Sequence, residues 1–413
     1  MKVAVKQTAT PGLAARAPGF ADLLPGAAKQ RRALEDRMLG IFSAWGYELV
    51  ETPAVELLST LELGVEPERV RRLFKFSDGD GRMLAMVGER TVPVARLAAG
   101  QLRQAPLPLR LCYLGPTFEG QPAPGSGRQA FQAGAELIGA HSAAADAEVV
   151  AMAIGALEAA GLTDFQVEVG HVGFFGGLMA GLEPGQRSRV LDALTGRDLV
   201  ELEQALAETD LRSAEQELLL RFPALRGDPD ILGAAVAMVD NPVSEQAVRE
   251  LHEVHDLLVA HGVSARFNLD LGAVRDFDYY TGVIFEVFST RLGAPIAAGG
   301  RYDGLLERFG VARPATGVVV FLDRVQAVLE PTGPPAGDGL VLVGFEDDPA
   351  AAVSLAAELR AAGEAVIMEV TPSTDGDLRR RAAELVAARA LMCSGAQRYV
   401  LDASGRRPYQ GAP

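Results

Sequence analysis

Cysteine is scarce in this sequence: its 413 residues contain two, Cys112 and Cys393, far apart in the chain. Two distant cysteines exclude both a disulfide framework and a CxxC metal site, which is typical of a protein from a reducing cytoplasm. The five histidines also lack metal-site spacing. His252 and His255 are three apart on a predicted helix, where a solvated helix face is the simpler interpretation. We therefore expect a cytoplasmic protein without a bound metal.

Positive charge is outnumbered. Lys and Arg total 39 against 54 Asp and Glu, so the net charge is −15. Proteins that coat nucleic acid use clustered Lys and Arg to neutralise phosphates, so this balance argues against broad, non-specific binding of nucleic acid. It still leaves room for a locally basic groove.

Long apolar runs are absent as well. The start, "MKVAVKQTATPGLAARAPG", lacks the sustained apolar core of a secretory signal. The most apolar helical run, "AAADAEVVAMAIGALEAAGL", contains Asp146, Glu148 and Glu158, which predicts a core helix and not a membrane span. The phosphate-binding signature GxGxxG and the Walker lysine motif are also missing. We expect no membrane association and no cofactor.

The length predicts two or three domains. In residues 1–330, strands are joined by hairpins as often as by helices, an α+β pattern dominated by antiparallel pairing. Within this body, residues 174–262 are mostly helical and charged, which indicates an inserted helical module. A linker rich in Pro and Gly follows at residues 331–339. Residues 340–413 follow a β-α-β-α pattern, which predicts a small α/β domain.

Four short stretches concentrate polar side chains on predicted strands. In "GERT", Glu89 and Thr91 are two residues apart, so on a strand they would face the same side. In "QAGAE", Gln132 and Glu136 are four apart and would also share one face. The small residues between Gln132 and Glu136 leave room for a ligand.

The other two stretches are "RDFDYYTG" at 275–282 and "GGRYDGL" at 299–305. The second places Arg301 next to a glycine pair that would let the backbone approach a ligand closely. Together the four stretches supply carboxylates, amides, phenols and one or two guanidinium groups. This set suits a small zwitterion, because a carboxylate binds an amine and an arginine binds a carboxylate. An exposed strand face or a turn explains any one stretch equally well, but four in one chain favour a site.

The motifs follow the order of a known family over residues 18–330. "FSAWGYELVETPAVE", "FKFSDGDGRMLAMVGERTVPVAR", "YLGPTFEGQPAPGSGRQAFQAGAELIG", "VRDFDYYTGVIFE", "GGRYDGL" and "GVVVFLDR" resemble the motifs of class II histidyl-tRNA synthetases. "DYYTG" with a downstream "GGRYDGL" is highly specific. The chain resembles more closely the non-synthetase relatives in this family, the regulatory subunits of ATP phosphoribosyltransferase. The resemblance implies a six- or seven-stranded antiparallel sheet with flanking helices, in a dimer.

By this resemblance, the amino-acid half of a synthetase site is complete. The implied histidine-binding residues are Glu89, Thr91, Gln132, Glu136, Arg275, Tyr279 and Tyr280. Glu89 and Thr91 would bind the α-amino group. Gln132 and Glu136 would lie around the amine and the imidazole. The arginine would lie near the carboxylate, and the two tyrosines would line the imidazole pocket.

The nucleotide half departs from the family pattern. Synthetases have Phe-Arg-x-Glu in the loop of the second motif, where the arginine clamps the α-phosphate of ATP, but residues 118–121 are Phe-Glu-Gly-Gln. A carboxylate in place of the clamp brings like charges together. Two like charges about 4 Å apart repel by about 4 kcal/mol at an effective dielectric of about 20.

Other positions of the nucleotide half have changed too. Ser126 stands where the family has a second arginine, and Phe321 stands where a glycine lies near the adenine. Two arginines of the family pattern, Arg128 and Arg324, are kept. The implied degenerate nucleotide site comprises Glu119, Gln121, Ser126, Arg128, Phe321 and Arg324.

A chain that binds histidine without activating it is suited to sensing histidine. The sequence therefore predicts a non-catalytic regulatory subunit of ATP phosphoribosyltransferase, required for the first step of histidine biosynthesis and for feedback by histidine. Its partner would be the short-form catalytic subunit, in a larger hetero-oligomer that contains a homodimer of this chain. We do not expect tRNA binding, and residues 340–413 resemble a degenerate anticodon-binding domain. Two alternatives stay open: an atypical histidine–tRNA ligase and a free-standing histidine-binding paralogue.

Overall fold

The computed structural model describes residues 16–122, 127–196, 198–221, 225–227, 229–272, 280–329 and 339–409. The chain forms two compact units that divide after Leu329. The first unit contains a large and a small β-sheet, and the second contains a five-stranded sheet. No helix in the described part of the chain combines the length and apolar character that crossing a membrane requires.

The helices of the first unit surround its sheets. In the described residues they are α1 (Pro25–Ala44), α2 (Leu58–Glu62), α3 (Pro67–Arg72), α4 (Thr91–Ala99), α5 (Ala143–Ala159), α6 (Val172–Leu178), α7 (Pro184–Gly196), α8 (Leu199–Ala207), α9 (Ser213–Arg221), α10 (Asp230–Val236), α11 (Pro242–Ala260) and α12 (Leu322–Val328). Helices α6 to α11 occupy most of the region expected to be helical and charged.

The strands of the first unit are β1 (Glu48–Leu49), β2 (Val55–Leu57), β3 (Lys75–Ser77), β4 (Met83–Met86), β5 (Leu109–Phe118), β6 (Gln129–Ile138), β7 (Gln166–His171), β8 (Arg226–Gly227), β9 (Phe267–Asp270), β10 (Val283–Phe288), β11 (Ala297–Arg301) and β12 (Ala315–Phe321). The large sheet has the order β1-β5-β6-β12-β11-β10-β7-β9-β8, and the small sheet has the order β2-β4-β3.

The predicted antiparallel sheet is confirmed at the centre of the large sheet, where six consecutive strands from β5 to β7 all pair antiparallel. The described sheet is wider than the six or seven strands that the family resemblance implied. Short strands extend it at both ends, and two of the added pairings, β1 with β5 and β7 with β9, are parallel. The long β5–β6 pairing, from Leu109–Ile138 to Phe118–Gln129, fixes where the residues of β6 lie on the sheet.

Helix α5 is the apolar core helix that the sequence predicted. Ser142 caps it by accepting a hydrogen bond from the amide of Ala145, and most of its residues are buried. Its three charged residues are paired: Asp146 with Arg301, Glu148 with Arg110 and Glu158 with Arg266. These pairings explain how a helix this deep tolerates carboxylates.

Arg301 on β11 joins the sheet to helix α5. Its Nε donates to Asp146 at 3.0 Å, and a terminal nitrogen donates to Asp303 at 3.0 Å. Arg301 is 2% exposed and Asp146 is 5% exposed. Because water cannot replace either partner there, each charge depends on the other.

Replacing Arg301 by Met should leave Asp146 buried without a cation. Breaking a buried ion pair from one side costs about 3–5 kcal/mol, so we expect the free energy of unfolding in urea to fall by about that amount. The control Arg82→Met removes an exposed arginine that pairs with Asp78 and Asp80, and it should cost less than about 1 kcal/mol. Equal losses for the two variants would contradict the role of Arg301 as a buried tether.

The second unit has helices α13 (Pro349–Ala361) and α14 (Asp375–Glu384) and strands β13 (Val341–Phe345), β14 (Val366–Met368), β15 (Arg389–Ser394), β16 (Gln397–Asp402) and β17 (Gly405–Pro408). The sheet order is β14-β13-β15-β16-β17, with parallel pairing on both sides of β13. The predicted β-α-β-α pattern is present, and three further strands follow it. The sequence analysis missed all three strands. Arginines interrupt the apolar pattern of the last two, and tight turns join β15, β16 and β17 as an antiparallel meander.

Candidate functional site

The first unit contains a cavity of about 160 Å³ on the large sheet. Residues of β6, β10, β11 and β12 line it, together with residues at the start of α4 and on α3. A cavity of about 150 Å³ holds a benzene molecule, so this one suits a ring of that size with a short polar extension. Its lining includes five residues of the expected histidine set, Glu89, Thr91, Gln132, Glu136 and Tyr280.

Glu89 and Thr91 line the cavity, but the predicted strand at "GERT" is wrong. Glu89 lies just before helix α4, and Thr91 is the first residue of that helix. The two carboxylate oxygens of Glu89 accept hydrogen bonds from the amides of Thr91 at 3.0 Å and Val92 at 2.9 Å. A carboxylate stabilises the positive end of a helix, and Pro93 is compatible with a first helical turn. Helix entry, not strand alternation, brings the two side chains together.

Gln132 and Glu136 lie on the same face of β6, and both line the cavity. Glu136 pairs across the sheet with Gly317 on β12. A Cβ atom at position 317 would collide with the Glu136 carboxylate, so a glycine is needed there. Among the small residues at 133–135, Gly134 makes room for the ring of Tyr113, because a Cβ atom there would collide with that ring.

Glu136 is a buried carboxyl group, 1% exposed. Burial raises its pKa to about 8, hydrogen bonds with the hydroxyls of Tyr302, Thr91 and Tyr113 oppose this rise, and the charge of Glu89 adds to it. Among the described residues, Oε1 of Glu136 and Oε1 of Gln132 have no hydrogen-bond partner of ordinary geometry. Buried acceptors are normally satisfied, so this part of the cavity suits a ligand that donates hydrogen bonds.

Glu89 makes the cavity more acidic. Burial raises its pKa, while the amides of Val92 and Thr91 and the positive charge of Arg69 lower it. Glu286 on β10 adds a third carboxyl group to the lining. A cation that entered would be stabilised by these groups and would favour their ionised forms.

The raised pKa of Glu136 predicts a pH-dependent cost to folding. The folded protein holds this proton up to about pH 8, whereas an unfolded chain releases it near 4.5. Stability should therefore fall as the pH rises through this window. Glu136→Gln removes the charge and keeps the shape. The wild type should lose stability over this range and the variant should not. The difference in free energy of unfolding, variant minus wild type, should therefore grow by on the order of 1–4 kcal/mol between pH 5 and pH 9.

The measurement is thermal unfolding of the ligand-free proteins at several pH values. Glu217→Gln serves as the matched control, because Glu217 is exposed and pairs only loosely with Arg221. A difference between Glu136→Gln and the wild type that did not change with pH would contradict the buried, raised-pKa carboxyl group.

The two later polar stretches contribute less than the sequence indicated. Arg301, considered as a carboxylate-binding guanidinium, is fully engaged by Asp146 and Asp303 and does not line the cavity. Its neighbour Tyr302 does line it and donates to Glu136. Arg275, Asp278 and Tyr279 lie outside the described residues.

Two residues of the expected nucleotide set, Phe321 and Arg324, line the same cavity. The guanidinium of Arg324 lies 4.3 Å from the centroid of the Phe321 ring and donates to the carbonyl of Pro295 at 2.6 Å. Burial lowers the pKa of Arg324, and the nearby carboxylate of Glu119 opposes that effect. Arg324 is therefore engaged by an aromatic ring, a backbone oxygen and a negative charge from this chain.

Three further residues of that set, Glu119, Gln121 and Arg128, lie between β5 and β6 and do not line the cavity. The amide of Glu119 donates to the carbonyl of Arg128 at 2.9 Å, and the Arg128 guanidinium lies 5.7 Å from the centroid of the Phe74 ring. Gln121 is exposed, and its amide donates to the carbonyl of Arg72. Ser126 lies outside the described residues.

Three polar residues of the lining were not among the residues assigned to the site from the sequence: Arg69, Glu286 and Tyr302. Tyr302 belongs to the quoted stretch "GGRYDGL", and Glu286 interrupts the apolar run "VIFEVF", so both left a signal. Arg69 left none, because it lies in an arginine-rich helix that has the pattern of an ordinary surface.

The sequence has clear relatives. The family model for histidyl-tRNA synthetase matches residues 19–325. A protein of Moorella thermoacetica named ATP phosphoribosyltransferase regulatory subunit is 40% identical over 378 residues, which cover 90% of this chain and 95% of the relative. The chain belongs to the ATP phosphoribosyltransferase regulatory subunit branch of the histidyl-tRNA synthetase family.

Solved structures of this family have the same fold. A protein of Bacillus halodurans described as an ATP phosphoribosyltransferase regulatory subunit/histidyl-tRNA synthetase has a TM-score of 0.83 and 30% identity, covering 94% of this chain and 100% of that one. A histidyl-tRNA synthetase of Nostoc has a TM-score of 0.81 at 21% identity, covering 96% and 97%. The second likeness shows the fold alone. The predicted family and the class II synthetase-like fold are confirmed.

Proposed function

We propose that this chain is a non-catalytic regulatory subunit of ATP phosphoribosyltransferase that binds histidine in the cavity of the first unit. The observation that carries the proposal is the contrast within that cavity. One side offers buried, unsatisfied acceptors on Gln132 and Glu136. On the other side, where a synthetase would hold the nucleotide, Arg324 is already engaged by residues of this chain.

Histidine fits the acceptor side chemically. Its ammonium group can donate to Glu89, and its ring N–H or ammonium can donate to the unpaired oxygens of Gln132 and Glu136. Charge-assisted bonds of this kind are among the stronger hydrogen bonds in proteins. The volume of about 160 Å³ limits the ligand to a small molecule.

The nucleotide side argues against amino-acid activation. Activation requires cationic groups that hold the phosphates of ATP in place. Here Glu119 brings a negative charge to the side where Arg324 lies, and the ring of Phe321 lines the cavity beneath that guanidinium. Phosphates entering this side would meet a carboxylate and an arginine whose donors are partly used.

The second unit argues against tRNA as a partner. RNA binding needs lysine and arginine side chains that can neutralise phosphates. Most described arginines of this unit contact carboxylates: Arg380 with Asp377, Arg381 with Glu369 and Glu384, Arg389 with Glu364, Arg398 with Glu358, Arg406 with Glu346 and Asp375, and Arg407 with Asp402. We infer that this unit is a degenerate anticodon-binding-like domain.

The proposed partner is the short-form catalytic subunit of ATP phosphoribosyltransferase, in a cytoplasmic hetero-oligomer that contains a homodimer of this chain. The names of the relatives support the partner. Feedback would follow if histidine bound one state of the complex more tightly than another, since a ligand shifts an equilibrium only through differential affinity.

Glu89→Gln should weaken feedback without unfolding the protein. Glutamine keeps one acceptor for the amides of Thr91 and Val92 but loses the charge that attracts an ammonium group. Losing a charged hydrogen bond corresponds to about ten- to a hundredfold in affinity. The histidine concentration for half-inhibition of the complex should rise by that factor, with the exposed Glu217→Gln as control. An unchanged inhibition curve would count against this pocket.

Histidine-dependent exchange of pyrophosphate into ATP should be absent for the purified chain. An authentic histidyl-tRNA synthetase assayed in parallel is the positive control. Exchange at synthetase-like rates would overturn the regulatory assignment and favour the ligase alternative. Histidine binding without any effect on a co-purified phosphoribosyltransferase would favour the free-standing paralogue instead.

A further inference from the structure

Arg69 is a lining residue of the cavity to which neither the sequence motifs nor the family resemblance gives a role. It lies on the short helix α3, is half-buried and faces the same cavity as Glu89. Its positive charge lies close enough to lower the pKa of the Glu89 carboxyl group. A guanidinium and a carboxylate therefore lie together at one end of the cavity.

The backbone holds Arg69 in this position. Its neighbour Val70 is buried in the core. At the end of α3, the carbonyl of Arg72 accepts hydrogen bonds from the amides of Gly120 at 2.7 Å and Gln121 at 3.1 Å. A Cβ atom at Gly120 would lie 3.1 Å from that carbonyl oxygen, so the contact is tight. Arg69 thus lies on a short helix that is held by a buried neighbour and by hydrogen bonds at its C-terminal end, which lowers the cost of ordering the guanidinium around a ligand.

The chemistry of an α-amino acid explains why a cation belongs beside Glu89. The ammonium and carboxylate of such a ligand are attached to one carbon atom, so the groups that bind them must be neighbours. A guanidinium offers a planar fork of donors that matches a carboxylate.

We propose that Arg69 binds the carboxylate of the amino-acid ligand while Glu89 binds its ammonium group, and that this pair makes the cavity selective for α-amino acids over amines. The inference rests on the proposed function, because it takes histidine as the ligand. It adds to the family resemblance, which assigned the carboxylate to Arg275.

The test compares ligands with and without a carboxylate. Wild-type protein, Arg69→Met and Arg69→Lys are titrated with L-histidine, histamine and L-histidinol in a calorimeter. Arg69→Met should lower the affinity for histidine by about ten- to a hundredfold. Its affinities for histamine and histidinol should stay within about threefold of the wild-type values. Arg69→Lys keeps the charge without the planar fork and should give an intermediate loss for histidine. Arg71→Met is the matched control, because Arg71 lies on the same helix, exposed and paired with Glu68.

The outcomes separate this inference from the proposed function. Equal losses for histidine and histamine in Arg69→Met would show that Arg69 acts only through the charge of Glu89, and would overturn the inference. Unchanged histidine affinity in Arg69→Met would overturn it as well. Wild-type protein that binds none of the three ligands would refute the proposed function itself. The melting temperature of each variant shows whether a lost signal reflects unfolding.

Discussion

The site depends on one constraint, a carboxyl group buried in the middle of a β-sheet. Glu136 is 1% exposed, and the sheet accommodates it only because Gly317 on the neighbouring strand has no side chain. A buried carboxyl group with one unpaired oxygen is costly for an empty protein. Tyr302 compensates for part of this cost by a hydrogen bond to the other oxygen. A ligand that donates hydrogen bonds would compensate for the rest, so the same group that weakens the empty fold favours an occupied one.

The second buried carboxyl group, that of Glu89, stabilises the start of a helix. Glu89 satisfies two amides at the start of α4, where a helix has free N–H groups. That role fixes its position whether or not a ligand is present. Its negative charge, next to the guanidinium of Arg69, gives the cavity one polar end that matches a zwitterion. The structural role and the proposed binding role therefore coincide in one side chain, which is why a charge-removing substitution that keeps its shape is more informative than truncation.

The proposed loss of nucleotide binding requires no change in the fold. Phe321 and Arg324 form a contact with each other, and Glu119 supplies a counter-charge. None of these changes disturbs the six central antiparallel strands. The sheet depends on backbone pairing and small side chains, whereas phosphate binding depends on a few exposed cations. The two properties can therefore change independently.

The sequence by itself determined the family, the antiparallel sheet, the core helix α5 and most of the polar side chains around the cavity, because apolar periodicity and motif order are local properties. It was wrong about Glu89, which it placed on a strand, and about Arg301, which it treated as available to a ligand. The structure decided both points: Glu89 accepts hydrogen bonds from amides two and three residues ahead, at a helix start, and Arg301 pairs with Asp146, which is 155 residues away in the chain. The tertiary structure also brought Arg69 to the cavity. An arginine on a short polar helix has no local signature of binding, and packing alone decides whether it faces water or a ligand.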